Sequence, residues 1–225
     1  MLREVPAPTI IEYPSSDGAP MAETGVHVKA IIAIVSMLWA YFRHRTDVYI
    51  GGDMFWYYEE GNPNKHIAPD VFVAFGVTTA ERRSWLIWEE QKVPEVVFEI
   101  TSRSTRAEDL GSKKGLYEWL GVQEYFLFDP LDEYMRPRLQ GFQLVDGYYQ
   151  AIPLRKGELT STLFNLTLYA EGDKLRFRDL QTGQSLPFPD EEAEARQAEA
   201  EARAAAEAEV VRLRAELARL RGEQT

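Results

Sequence analysis

The segment Val96-Val97-Phe98-Glu99-Ile100-Thr101 sets one glutamate inside an otherwise apolar, β-branched and aromatic run, and this limits the fold more than any other feature of the chain. Such residues favour a pleated, buried surface, so a strand is predicted over Glu95–Thr101. Alternation then puts Val97, Glu99 and Thr101 on one face and Val96, Phe98 and Ile100 on the other. A carboxylate carried into a core costs free energy unless it is paired or metal-bound. Two readings follow: an edge strand with Glu99 in water, or an inner strand whose acid has a partner.

Candidate partners lie on either side in sequence. Asp70 opens a second Val- and Phe-rich strand, Asp70–Phe75, directly after Pro69; taken alone, a Pro-Asp step reads as a turn or cap. Downstream, a helix is predicted over Arg106–Leu120, stopped by Gly121. On it Asp109, Lys113 and Tyr117 are spaced i, i+4, i+8 and share a face. The bland reading of Asp109 and Lys113 is a surface ion pair worth a few tenths of a kcal/mol. Lys114 is the alternative lysine, turned by about 100°. Two carboxylates on strands and a lysine on the next helix suit phosphodiester hydrolysis. That reaction needs a divalent cation, an activated water and relief of developing negative charge. Mg²⁺ takes oxygen ligands, usually one or two carboxylates plus waters.

Elsewhere the chain reads as follows. Residues 1–22, with four prolines, form an extended arm. A helix over Glu23–Arg45 carries the stripe Val28, Ile31, Ile32, Val35, Leu38 and Phe42, with Arg43 and Arg45 at its C-terminal end. Val48–Ile50 and Met54–Tyr58, separated by Gly51-Gly52-Asp53, are expected to form a hairpin. Strands are expected at Glu124–Phe128, Gly141–Val145, Tyr148–Ile152, Leu166–Tyr169 and Lys174–Arg178, with Asp146-Gly147 as a hairpin turn. From Asp190 the composition shifts to Ala, Glu and Arg, with no Gly, Pro or aromatic before Gly222. A long helix is expected there. Ala206, Val210, Leu213, Leu217 and Leu220 form an a/d seam of about two heptads, read either as a self-association or partner helix or as a solvated tail. The expected division is an arm (1–22), a sheet domain (23–188) of α/β or α+β class and a helical tail (189–225).

Composition removes several function classes. With no cysteine there is no disulfide framework or thiolate site, which suits a reducing cytoplasm. The longest apolar run, Ala30–Phe42, is too short to span a bilayer. The net charge is −11, so any nucleic acid must be met by a local basic patch or bound cations, not by a broad basic stripe. Arg82-Arg83 and the Arg103/Arg106 pair are the candidate spots. Trp56, Tyr57 and Tyr58 could stack on bases, although an aromatic strand is more often core. His27, His44 and His66 lack zinc-site spacing.

The runs "PDVFVAFGV" and "VPEVVFEITSRSTRAEDLGSKKGLYEWLGVQEYFLFDP" resemble the restriction-endonuclease family Uma-two, within the PD-(D/E)XK superfamily, from about Glu23 to Arg178. The shared motifs are PD, then E-x-[ST], D-x-x-x-K-x-x-x-Y, GV-x-EY and DP. The resemblance implies a restriction-endonuclease-like mixed sheet flanked by helices. It also implies a metal-dependent endonuclease acting on DNA, with RNA as the alternative substrate. Asp70 and Glu99 would ligate Mg²⁺ or Mn²⁺ with the Ile100 carbonyl, Lys113 would be catalytic, and Glu23 would add an acidic group. Thr101 stands where the superfamily's E-x-K lysine would be, and the family pattern moves that lysine to the helix. The rival expectation is a catalytically silent binding or assembly protein that keeps the fold, with the C-terminal helix joining two copies or a partner.

Overall fold

A computed structural model describes residues 11–15 and 25–222, and in it Glu99 lies on an inner strand of the main sheet. The chain begins with α1 (Gly25–Tyr41), β1 (Val48–Gly52), β2 (Trp56–Tyr57), β3 (His66–Ile67) and β4 (Val71–Phe75). Next come β5 (Trp85–Leu86), α2 (Ile87–Glu90), β6 (Val96–Ile100), α3 (Arg106–Leu110), α4 (Ser112–Leu120) and β7 (Glu124–Phe128). The remainder is β8 (Leu139–Val145), β9 (Tyr148–Ala151), β10 (Glu158–Ser161), β11 (Leu166–Glu171), β12 (Lys174–Asp179) and α5 (Pro189–Gly222). Residues up to Leu186 form one compact unit and those from Pro187 a second.

The six-stranded sheet has the order β1-β4-β6-β7-β8-β9. Only β6 and β7 run parallel; the other neighbours are antiparallel. A parallel pair needs a crossover, and α3 and α4 supply it. Both faces of β6 are covered. On one, Val97 joins Trp56, Phe72, Trp85, Tyr117 and Tyr125; on the other, Phe98 stacks on Phe126 and Phe164 and meets Phe177 edge-on. The expected class, an α/β mixed sheet flanked by helices and followed by a long helix, is the one observed. No helix among the described residues is long and apolar enough to cross a membrane.

Three local expectations are corrected. The first helix is described from Gly25 and ends at Tyr41, so Arg43 and Arg45 lie beyond it, and Arg45 instead pairs with Asp47. Its buried positions are His27, Ile34, Met37 and Leu38, whereas Val28 and Ile32 are exposed. The helix is apolar around most of its circumference, so the pattern could not fix which stripe faces inward. Second, β1 and β2 form no hairpin: β1 pairs with β4, and β2 joins β3 and β5 in a separate small sheet. Third, the helix over Arg106–Leu120 is broken at Gly111, where φ −121° and ψ −94° separate α3 from α4. Gly121 caps α4 in the left-handed region as expected (φ 93°), and Asp146-Gly147 turns β8 into β9.

Gly51 explains why β1 prefers β4. In register it faces Phe72, whose ring lies over its backbone; a Cβ there would sit 2.3 Å from Phe72 Cε1. Phe72 is held edge-on by Trp56 and Trp85, so the ring has little room to move. Gly51→Ala is expected to destabilise the fold by about 1–3 kcal/mol through overpacking, read as a lower urea midpoint. An unchanged midpoint would show that the ring yields.

Candidate active site

The site grows from sheet register. Val71 pairs with Phe98 in the antiparallel β4–β6 ladder, and one further step sets Asp70 opposite Glu99. The Ile100 N–H donates to Asp70 Oδ2 at 2.6 Å, which fixes the Asp70 carboxylate at the end of β6. His27, from α1, places Nε2 3.3 Å from Asp70 Oδ1. In the sequence His27 shows only a lack of zinc-site spacing; its contact with Asp70 forms where α1 meets the start of β4. Glu23 lies outside the described residues.

Glu99 is 1% exposed, which rules out the edge-strand reading. Lys113 Nζ donates to its Oε2 at 2.8 Å, and Tyr117 O–H donates to Oε1 at 2.7 Å. Lys113 also lies 3.4 Å from Asp109 Oδ1. Asp109 is as buried as Glu99, so the surface-ion-pair reading is corrected. The phase of α4 turns Lys113 inward, while Lys114 Nζ sits 3.7 Å above the Phe142 ring. Tyr125 O–H donates to the Asp109 backbone carbonyl at 2.8 Å and anchors the end of α3.

This cluster is unbalanced. Three carboxylates, from Asp70, Glu99 and Asp109, act on one another around a single lysine. Neither Asp109 oxygen accepts a hydrogen bond of standard geometry, although Thr105 and Lys113 are close. Burial raises the Glu99 carboxyl well above its ordinary pKa; Lys113 opposes the rise, and Asp70 and Asp109 add to it. Burial likewise raises Asp109. Lys113 moves up, its carboxylate neighbours together outweighing desolvation. Burial, then the nearby Glu99 charge, pushes Tyr117 up, so its hydroxyl stays a donor.

Other buried acids differ. Glu124 is met by the hydroxyls of Ser161 and Thr162 and the Thr162 N–H. Asp129 accepts the N–H groups of Leu131, Tyr134 and Met135. Each is satisfied by neutral donors and holds a turn. Two proposed nucleic-acid contacts also resolve as structural. Trp56 and Tyr57 are core residues, and Arg82 pairs with Glu90 while lying over the Tyr49 and Trp85 rings. Among the described residues, no group of three or more His, Cys, Asp or Glu is arranged to hold a metal ion. The expected ligand set contains only two carboxylates and a backbone carbonyl. Lys113 stays 17% exposed and faces a cleft of about 390 Å³ with Phe55, His66, Ser112 and Leu116.

The site thus joins acids from two adjacent strand segments of a mixed sheet to a lysine on the crossover helix. The chain belongs to the Uma2 family, described as "Putative restriction endonuclease", whose model matches residues 4–170. It is also similar to a solved structure from Anabaena variabilis ATCC 29413 described as "a putative nuclease belonging to DUF820". That likeness has 16% identity and a TM-score of 0.47, covering 64% of this chain and 76% of the other. A search of curated proteins returns no match.

Removing one member of a buried ion pair strands the other, at a cost of about 3–5 kcal/mol. Lys113→Met is therefore expected to destabilise strongly. Glu99→Gln should not, because its amide can accept from Lys113 and donate to Tyr117. The folded chain holds the Glu99 proton more tightly than the unfolded chain. This group therefore favours folding most below the ordinary glutamate pKa, and that contribution is lost as pH rises above it. Urea unfolding from pH 5 to 8 should show a shallower decline for Glu99→Gln than for wild type; parallel curves would contradict the assignment.

Proposed function

We propose that this chain is a divalent-metal-dependent endonuclease that hydrolyses phosphodiester bonds in DNA. The observation that carries the reading is the charge imbalance: two buried carboxylates, Glu99 and Asp109, pair with one lysine while the partly buried Asp70 adds a third negative charge beside them, and neither Asp109 oxygen accepts a hydrogen bond of standard geometry. Hard cations are held by such oxygen donors, so the residues fit Mg²⁺ or Mn²⁺ in charge and donor type. Asp70, Glu99 and the Ile100 carbonyl would hold the ion, which would supply Lewis-acid polarisation of the phosphate and a more acidic water.

The chain's own groups do the rest. The Ile100 N–H and His27 orient Asp70. Tyr117 fixes Glu99, and Lys113 brings a compact positive charge to the cleft wall, where negative charge develops on the phosphate. Glu23 contributes a further acidic group or water contact. The rival is a silent binding or assembly protein. It draws on Thr101 at the E-x-K position and on the hydrogen bonds that already engage both Glu99 oxygens.

Plasmid, single-stranded DNA and RNA incubated with Mg²⁺ or Mn²⁺ decide between them. Wild type should cleave DNA. Asp70→Ala and Glu99→Gln should lose at least 10²-fold, the low end of electrostatic contributions of this kind, and Lys113→Ala should fall with them. Cleavage of RNA alone would move the substrate; undiminished cleavage by either acid variant would sink the site.

We also propose that α5 pairs two copies of this cytoplasmic protein. It is a 34-residue helix, and its seam residues Val210, Leu213 and Leu217 are exposed. Sedimentation should give a dimer for the full chain and a monomer for Leu213→Glu/Leu217→Glu. A monomeric wild type would overturn this part.

A further inference from the structure

Beside the carboxylate cluster lies a second cavity, of about 140 Å³, several times the ~30 Å³ share of a water molecule. Thr101, two residues beyond Glu99 and just past the end of β6, is among its lining residues. Thr101 is 2% exposed, and its hydroxyl has no hydrogen-bond partner. An unsatisfied buried hydroxyl costs about 1–3 kcal/mol, a cost that a ligand accepting its proton would remove. Ser102, Ser104 and Arg103 form one wall, and His27, whose Nε2 touches Asp70, forms another. Asp129 holds the third, the 130–134 turn, by accepting its backbone N–H groups.

None of the described residues lining this cavity carries a carboxylate, in a chain of net charge −11. Hydroxyls, an imidazole and a guanidinium all have protons to donate, while Val26 and Leu131 add apolar surface. A tetrahedral oxyanion attached to a less polar group matches that lining. We infer that the cavity binds a phosphate of a nucleic-acid strand, the one adjoining the cleaved linkage, through Thr101, Ser102 and Arg103. The inference takes the identity of the strand from the nuclease reading; the anion site itself rests on the cavity.

Full-length protein without divalent metal can be titrated with pdTpdT, d(TpT) and inorganic phosphate while the amide resonances of Val26, Ser102, Arg103 and Ser104 are followed by NMR. The expected result is saturable shifts of these amides with pdTpdT, and weaker ones with d(TpT) and phosphate. Thr101→Val and Arg103→Ala should each weaken binding about tenfold. Thr101→Val should melt no lower than wild type, because it removes only an unsatisfied hydroxyl. Absent shifts, or shifts unchanged by both substitutions, would overturn the site. Phosphate binding as tightly as pdTpdT would make this a free-phosphate site and overturn the strand assignment. Shifts without metal-dependent cleavage would sink the nuclease reading alone; cleavage without shifts would sink this inference alone.

Discussion

The hydrogen bond from Lys113 to Glu99 is the interaction on which the rest of the structure turns. Glu99 sits on an inner strand, packed on both sides by sheet neighbours and covered by the crossover helices. An acid there is tolerated only with a cation and a donor beside it. Lys113 and Tyr117 meet that need from one face of α4. The position of the crossover, the break at Gly111 and the inward turn of Lys113 all serve the same pairing. Tyr125, from the parallel neighbour β7, anchors α3 through the Asp109 carbonyl.

Compensation at this point is incomplete. Glu124 and Asp129, equally buried, are fully met by hydroxyls and backbone N–H groups and act as structural pins. Around Lys113 the negative groups outnumber the positive one, neither Asp109 oxygen accepts a hydrogen bond of standard geometry, and Lys113 itself lines an accessible cleft. Burial alone does not separate these acids; the donors that meet them do, neutral hydroxyl and N–H groups at Glu124 and Asp129 and a shared lysine at Glu99 and Asp109. Perturbed groups of this kind gather at functional sites, which is why the metal proposal rests on this cluster.

Much of this was legible in the sequence because strand alternation and helix spacing are local. The Val-Phe strand carrying Glu99 and the Asp109–Lys113–Tyr117 spacing specify one face each, and the fold joins those faces. The less legible features depend on tertiary partners. Gly51-Gly52-Asp53 looks like a hairpin turn, yet the close fit of Gly51 beneath Phe72 sends β1 to β4. The first helix is apolar on several sides, so nothing local chose His27 and Ile34 over Val28 and Ile32 for the interior. The His27–Asp70 contact and the unsatisfied Thr101 hydroxyl arise where distant segments meet, and no spacing rule announces them.

The central claim is that this buried cluster holds a divalent cation. Calorimetric titration of Mn²⁺ and Mg²⁺ into the full-length protein tests it without assuming a substrate. The account predicts one saturable site at millimolar metal or below, lost in Asp70→Asn while the variant keeps its circular dichroism spectrum. A folded wild-type protein that binds neither ion at millimolar concentration would contradict it.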